Sequence, residues 1–362
     1  LCFDSLVPRP KVIDGMVCES EYELLEQIGR GSYGKVYRAQ HDSGEVHAIK
    51  IVELEAAEDE LDSIQQEIQM LQAFNCPQLT RYHGSFIVGS ALWISMEYLE
   101  GGSLQDLMKS SNATLDEHTA QWVLREILKA LVYLHLERKI HRDVKAGNIL
   151  IASDGSVRLA DFGESVQLTH SIAKRQTFAG SPYWMAPEVI MAQDTYNSKA
   201  DIWSLGITAI ELVKGRPPNS EMHPMKAVLL IPTNPPPTLG KEDGSFSKHL
   251  HGFLEQCLQR DPKLRPSAQD LLKHPFMKSA KPTDTLSKLL EARRAAQMMK
   301  TLFGGGLLDG PAGQPSAASW TSSATDATVS NKKTTNLPAS AAAAIAAATA
   351  LKSNSSSSAT TG

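Results

Sequence analysis

Two short stretches, "IHRDVKAGNILI" at 140–151 and "LADFGES" at 159–165, carry oxygen-bearing side chains at defined spacing. They contain Asp143, Asn148 and, 18 residues beyond the first aspartate, Asp161. A carboxylate can accept the proton of a hydroxyl group, and carboxylate and amide oxygens are ligands for Mg²⁺. Side chains of these types can therefore take a proton from a hydroxyl group and hold a metal ion.

A glycine-rich stretch, "GRGSYGKV" at 29–36, is a candidate for a phosphate contact. Gly29, Gly31 and Gly34 follow the G-x-G-x-x-G spacing, which lets a backbone approach a phosphate closely. A dinucleotide-binding fold needs a helix directly at this motif. Here "KVYRAQHDSGEVHAIKIV" follows, with strand formers on both sides of the turn signal "HDSG". The sequence predicts strand, turn, strand, which argues against the dinucleotide fold, and the G-K-[ST] ending of a P-loop is missing.

Lys50 ends the second of these strands, in "HAIK", where a lysine can pair with nucleotide phosphates. Such a cation needs a carboxylate to orient it, and a predicted helix from about Glu55 to Phe74 offers Glu67 on its apolar face. We therefore expect a buried ion pair between Lys50 and Glu67. The alternative is an exposed strand lysine.

The stretches at 140–151 and 159–165 match H-R-D-x-x-x-x-N and D-F-G, in the order found in protein kinases. Over residues 22–277 the chain resembles a eukaryotic protein kinase. Three further stretches, "ELEAAEDELDSIQQEI", "LWISMEYLEGGSLQDLM" and "TFAGSPYWMAPEVI", resemble the sterile-twenty group, germinal-centre kinase branch. The resemblance implies an α+β, bilobal kinase fold, with a β-rich N-lobe carrying one helix, a mainly helical C-lobe, and ATP bound between them.

The resemblance also assigns catalytic roles. Asp143 would accept the hydrogen bond and then the proton of the substrate hydroxyl group, and Asn148 and Asp161 would hold Mg²⁺. Lys50 would pair with the α- and β-phosphates of ATP. Lys145 would meet the γ-phosphate, as in serine/threonine kinases. The implied activity is transfer of the ATP γ-phosphoryl group to Ser/Thr hydroxyl groups of protein substrates, with ATP and Mg²⁺ as cofactors.

The ATP-binding positions follow from the same match to the family. Met96 would be the gatekeeper, Glu97 and Leu99 would present hinge backbone groups to adenine, and apolar residues would sandwich the ring. The complete predicted set is Ile28, Gly29, Gly31, Gly34, Val36, Ala48, Lys50, Glu67, Met96, Glu97, Leu99 and Leu150.

Phosphorylation of the loop between "DFG" and "APE" is the regulation that the resemblance implies. In "KRQTFAG", Thr177 matches the activating threonine of the family, and Arg142 of "HRD" would receive its phosphate as a bidentate pair. The alternative is that Thr177 is only a polar loop residue. The resemblance further implies autophosphorylation through a transient homodimer, and an armadillo-type scaffold adaptor docked on the N-lobe helix.

Other charged and polar residues match structural positions of the family. Glu188 of "APE" and Arg265 of "KLRPSA" would form an ion pair, and Asp201 would hold the backbone of the H-R-D turn. Ser181 in "GSPYW" would bond to the catalytic Asp and Lys. Glu164 departs from the family, in which a small or apolar residue follows "DFG". It would either alter magnesium affinity or substrate choice, or face solvent.

The resemblance over residues 22–277 and a change in composition near residue 280 divide the chain into segments. The predicted segments are an N-terminal extension at 1–21, a kinase domain at 22–277 (N-lobe 22–96, hinge 97–102, C-lobe 103–277), a linker and short helix at 278–303, and a low-complexity tail at 304–362. The tail buries too little apolar surface to offset its ordering entropy, so we expect it to be disordered.

Helical periodicity is visible in the C-terminal half of the kinase region and beyond it. The stretch "SKADIWSLGITAIELVKG" predicts a helix that ends at Gly215, before Pro217. Beyond the kinase region, Leu286, Leu289 and Leu290 share one face until Arg293 interrupts it. We expect a short docking helix there, not a long coiled coil.

The composition of the chain argues against several classes of protein. The chain has 362 residues, is 42% hydrophobic and 21% charged, and carries a net charge of −4, so no basic excess points to nucleic acid. The longest apolar run, 341–351, is too short for a membrane span, which needs about 20 residues. The four cysteines are scattered, which predicts neither a zinc site nor a disulfide framework. A cytoplasmic protein fits best.

A pseudokinase scaffold, which binds partners without phosphoryl transfer, is the alternative from another functional class. All five residues that transfer requires are present, namely Lys50, Glu67, Asp143, Asn148 and Asp161. The sequence therefore favours an active kinase.

Overall fold

The glycine motif lies in a strand-rich N-lobe. The computed structural model describes residues 21–31, 34–53, 74–161, 182–191, 197–240 and 246–303. Five strands form one antiparallel sheet in the order β1-β2-β3-β5-β4. Their bounds are β1 Tyr22–Gly31, β2 Gly34–His41, β3 Val46–Glu53, β4 Tyr82–Val88 and β5 Ala91–Glu97.

The predicted strand, turn, strand around the glycine motif is confirmed. β1 and β2 pair antiparallel with Gly31 opposite Gly34, and β2 then pairs with β3. The "HDSG" turn joins β2 to β3, where Gly44 adopts a φ of +86°. The motif therefore lies on a pair of antiparallel strands, whereas a dinucleotide-binding fold would have a helix starting there.

The C-lobe is built mainly from helices. Their bounds are α1 Leu104–Ser111, α2 Glu117–Leu136, α3 Pro187–Ile190, α4 Lys199–Lys214, α5 Pro224–Leu230, α6 Lys248–Cys257, α7 Ala268–Leu271, α8 Pro275–Lys278 and α9 Thr285–Phe303. A short hairpin of β6 Ile149–Ile151 and β7 Val157–Leu159 lies where this lobe meets the sheet. The predicted fold class, a β-sheet N-lobe with a helical C-lobe, is confirmed.

Helix α4 forms the centre of the C-lobe. Its residues 200–213 are all buried, which is typical of a helix that is apolar nearly all round. It ends as predicted at Gly215, which has a φ of +79°, a conformation that glycine adopts without steric cost. The loop at 141–148, which carries the H-R-D-x-x-x-x-N motif, is the predicted catalytic loop and is called the catalytic loop below. Because α2, α6 and this loop pack around α4, polar residues on the helix can hold the loop from inside the core.

No helix in the described part of the chain is both long and apolar enough to cross a membrane. The predicted N-lobe helix, except Phe74, lies outside the described residues. The same is true of the N-terminal extension and the low-complexity tail.

Candidate active site

One face of the N-lobe sheet gathers four predicted ATP-binding residues. Ala48 and Lys50 lie two residues apart on β3, so their side chains share a face, and they are 6% and 5% exposed. Val36 of β2 lies opposite Lys50, and Met96 of β5 lies opposite Ala48. The sheet thus places an apolar surface next to a buried cation, as an adenine ring with attached phosphates would require.

The remaining adenine positions lie around the connection between the lobes. Ile28, at an irregularity in the β1–β2 pairing, is 44% exposed, as expected for a residue that faces an open cleft. Leu99 is buried just after β5, and the half-buried Leu150 lies on β6. The Glu97 carboxylate accepts a hydrogen bond from the Arg81 backbone N–H at 3.2 Å, which fixes the start of the predicted hinge.

Lys50 contacts a carboxylate beside β7. Its ammonium group forms an ion pair with Asp161. Burial alone would raise the pKa of Asp161, but the charges of Lys50 and Lys145 outweigh that effect, and the pKa is lowered. Asp161 is therefore held as a carboxylate, which is the form that binds a metal. The predicted partner of Lys50, Glu67, lies outside the described residues.

The Asp143 carboxylate is the centre of the catalytic loop and is nearly buried. Asn148 Nδ2 donates to Asp143 Oδ2 at 2.8 Å and to the Asp143 carbonyl at 2.7 Å. Lys145 Nζ pairs with Asp143 Oδ2 at 2.5 Å. Because Nδ2 of Asn148 is committed to Asp143, its Oδ1 is the atom that could ligate a metal.

His141 supports the catalytic loop from the buried side. Its Nε2 donates to the Ala160 carbonyl at 3.0 Å, and its Nδ1 accepts from the Asp143 backbone N–H at 3.3 Å. Burial lowers the pKa of His141 despite the carboxylates nearby. The ring therefore stays neutral, and it joins the segment that carries Asp143 to the one that carries Asp161.

Asp201 holds the backbone of the H-R-D turn, as predicted. Its two oxygens accept from the backbone N–H groups of His141 and Arg142 at 2.9 and 2.8 Å. Arg142 has a φ of +72°, a left-handed conformation that is uncommon for a residue other than glycine. The bonds from Asp201 stabilise that conformation, and burial of Asp201 is tolerated because its oxygens have partners.

The predicted ion pair between Glu188 and Arg265 is confirmed. Arg265 Nη1 and Nη2 donate to the two carboxylate oxygens of Glu188 at 2.5 and 2.7 Å, and both side chains are buried. Arg265 Nε donates to the Gln259 carbonyl at 2.6 Å. The pair anchors α3, and with it the chain just before α3, to the segment ahead of α7.

Glu211 is a residue that the sequence reasoning missed. It is 1% exposed on α4, and its Oε2 accepts from the Ala146 backbone N–H at 3.0 Å and from Trp184 Nε1 at 2.9 Å. It thus links the catalytic loop to the segment before α3. Burial raises the pKa of Glu211 to about 7 despite these two donors. The available signal was one carboxylate within the apolar run "IWSLGITAIELV".

Three histidines stack beside the hinge end of the sheet. The ring of His47 lies 4.0 Å from that of His83 and 5.6 Å from that of His41, nearly parallel to both. The Tyr22 hydroxyl lies 2.9 Å from His47 Nδ1, and His47 is opposite Glu97 in the strand register. Burial and then the neighbouring histidines lower the pKa of His47, and burial lowers that of His83. The stack therefore favours the neutral forms of His47 and His83.

Several predicted residues cannot be placed against this geometry. Thr177, Ser181 and Glu164 lie outside the described residues, as does Glu67. Arg142 is described, and its backbone lies beside the Asp143 loop.

Comparison with known families agrees with the fold. The family model of the protein kinase domain matches residues 22–277, which is more than half of the chain. The chain therefore belongs to the protein kinase family. This membership implies ATP binding, phosphotransferase chemistry and protein substrates.

Proposed function

We propose that this protein is an active serine/threonine kinase of the sterile-twenty group, germinal-centre kinase branch, which works in cytoplasmic signalling. The observation that carries the proposal is the convergence of Lys145 and Asn148 on the Asp143 carboxylate. The ion pair of Lys50 with Asp161 adds a second cation and a second carboxylate.

The chemistry of these groups fits transfer of the ATP γ-phosphoryl group to a hydroxyl group. The oxygen of the substrate hydroxyl attacks the γ-phosphorus, and the bond from that phosphorus to the ADP oxygen breaks. Asp143 accepts the proton that the hydroxyl releases. Lys145, paired with Asp143, places a positive charge where the transferring group gains negative charge. Lys50 offers a second cation for the phosphates.

Magnesium fits the oxygen donors of this site. Mg²⁺ is usually bound by one or two protein groups together with substrate phosphates, and Asn148 Oδ1 and the Asp161 carboxylate match that requirement. When bound, Mg²⁺ would neutralise negative charge on the phosphates. Because the Asp161 pKa is lowered, the site keeps this ligand ionised across the physiological pH range.

Serine/threonine specificity rests on Lys145, since tyrosine kinases arrange this loop differently. The assignment to the germinal-centre kinase branch rests on the three sequence stretches quoted in the sequence analysis. We also propose the segment boundaries predicted from the resemblance and the composition, with the kinase domain at 22–277. The proposal further includes an armadillo-type adaptor docked on the N-lobe helix.

Phosphorylation of Thr177 is proposed as the activating step, carried out by a second copy of the chain in a transient homodimer. Arg142 supports this proposal because its backbone is fixed by Asp201 next to Asp143. A phosphate paired with Arg142 would therefore couple the activation loop to the catalytic loop. Thr177→Ala and Arg142→Ala should both stay at the basal rate after incubation with Mg-ATP, while still binding ATP.

The decisive experiment measures transfer of labelled γ-phosphate to matched peptides that contain only Ser, only Thr or only Tyr. We expect Mg²⁺-dependent labelling of the Ser and Thr peptides, and its loss in Asp143→Asn. If wild type binds ATP but labels none of the peptides after full phosphorylation, the pseudokinase scaffold is the correct interpretation. Labelling of the Tyr peptide alone would overturn the proposed specificity.

A further inference from the structure

Helix α9 lies beyond the region that matches the kinase family, and it packs against the hinge side of the C-lobe. The family match ends at residue 277, whereas α9 spans Thr285–Phe303. Leu286 and Leu290 are 0% and 1% exposed within the main core, and α9 contacts α1. Ser287 lies next to Gly155 in the turn between β6 and β7. The helix is thus fixed at its N-terminal end by buried leucines.

One turn further along, α9 reaches the hinge. Arg293 Nη2 donates to the Gly101 carbonyl at 2.7 Å, although the two residues are 192 positions apart. The Arg293 Nε–H is buried and has no hydrogen-bond partner among the described residues. Hydrogen bonds on all of its donors therefore do not hold the guanidinium group in this position. The packing of α9 and the bond to Gly101 hold it there.

The Gly101 carbonyl belongs to a turn that the fold holds tightly. The Gly101 N–H donates to the Ile151 carbonyl at 2.9 Å, and the Gly102 N–H donates to the Leu99 carbonyl at 3.0 Å. A Cβ at position 101 would collide with the Ile151 carbonyl oxygen, so the backbone lies too close to β6 for any residue other than glycine. The turn therefore has β6 on one side and Arg293 on the other.

We infer that Arg293 is a positioning residue for nucleotide binding. By holding the Gly101 carbonyl, it fixes the hinge turn that carries Glu97 and Leu99, the residues expected to meet adenine. The inference rests on the proposed use of ATP. Arg293 interrupts the leucine face of α9 because its position contacts the hinge and not the core.

The next residue supplies a matched control. Arg294 also meets the hinge, through an ion pair with Glu100 at 2.9 Å, but the two side chains are 43% and 58% exposed. An exposed pair of this kind contributes little because water and salt screen it. Arg294→Met thus removes a neighbouring arginine of the same helix without removing the bond to the backbone.

The experiment compares the full chain as wild type, Arg293→Met and Arg294→Met. ATP affinity is measured directly by calorimetry with Mg-ATP, and the KM for ATP, the KM for peptide and kcat are measured by phosphate transfer. We expect Arg293→Met to weaken ATP binding about fivefold, the lower end of usual coupling between sites. The KM for ATP should rise by the same factor, with kcat and the KM for peptide within about twofold of wild type. Arg294→Met should match wild type.

Thermal unfolding shows whether each variant is folded at the assay temperature. If Arg293→Met is not, the milder Arg293→Gln is judged by the same criteria. Unchanged ATP affinity in a folded variant, or equal losses in ATP and peptide binding, would overturn the inference. Failure of phosphate transfer in wild type would instead count against the proposed function, because the calorimetric comparison needs no turnover.

Discussion

Replacing Glu211 with glutamine isolates the energetic cost of burying a carboxylate against the catalytic loop. Glutamine keeps the shape and an acceptor oxygen for the Ala146 and Trp184 donors, but it does not titrate. Burial raises the pKa of Glu211 from 4.5 to about 7, so the folded state binds this proton more tightly than the unfolded state does. The contribution of Glu211 to the stability of wild type is therefore lost as the pH rises from about 4.5 to about 7. The difference between the folded and unfolded pKa values corresponds to roughly 3 kcal/mol in the free energy of unfolding.

The assay is thermal unfolding of wild type and Glu211→Gln between about pH 4.5 and pH 8. In a lobe of this size, 1 kcal/mol shifts Tm by about 2–4 °C, so the variant should gain roughly 6–12 °C relative to wild type across the range. Other groups titrate in both proteins, and the difference between them reports Glu211 alone. Glu255→Gln, which changes an exposed glutamate on α6, is the control and should follow wild type. A constant difference between Glu211→Gln and wild type at all pH values would refute the reasoning.

Three other substitutions test separate parts of the molecule. Asp143→Asn should bind ATP nearly as wild type does but lower the transfer rate more than tenfold, the effect of about 1.4 kcal/mol; a smaller loss would contradict its role as the base. Arg265→Met leaves the Glu188 charge buried and unpaired, which should cost about 3–5 kcal/mol and lower Tm clearly; an unchanged Tm would show that the pair is not needed. Since the pKa of His47 is lowered, its contribution to stability is lost as the pH falls below about 6.5. The Tm of His47→Gln should therefore fall less on acidification than that of wild type, and equal slopes would rule out the histidine stack as the cause.

The sequence predicted the parts of the site that depend on local pattern or on a strict motif. The hairpin of β2 and β3 follows from strand formers on both sides of the turn signal "HDSG". The hydrogen bonds of Asp201 and the ion pair of Glu188 with Arg265 follow from motif positions, and the structure confirms both.

Contacts between distant segments could not be predicted in this way. A single carboxylate in an apolar helix, such as Glu211, gives no indication of which backbone group it will meet. Arg293 was visible as a break in a leucine face, but its partner Gly101 depends on how α9 packs. The stacking of His47 on His83 is set by the pairing of β3, β5 and β4, because a shift of one residue would turn a ring to the other face.

The close approach at Gly101 also determines where resistance to an inhibitor of this site could arise. Any side chain at this position meets the Ile151 carbonyl oxygen, and because that obstacle is backbone, no change of rotamer removes it. An inhibitor that binds the hinge through Gly101 therefore contacts a position at which escape substitutions are sterically blocked. Met96 is different, since its half-buried, flexible side chain can be exchanged for others of similar volume. Selection under such an inhibitor would act on Met96 and leave Gly101 unchanged.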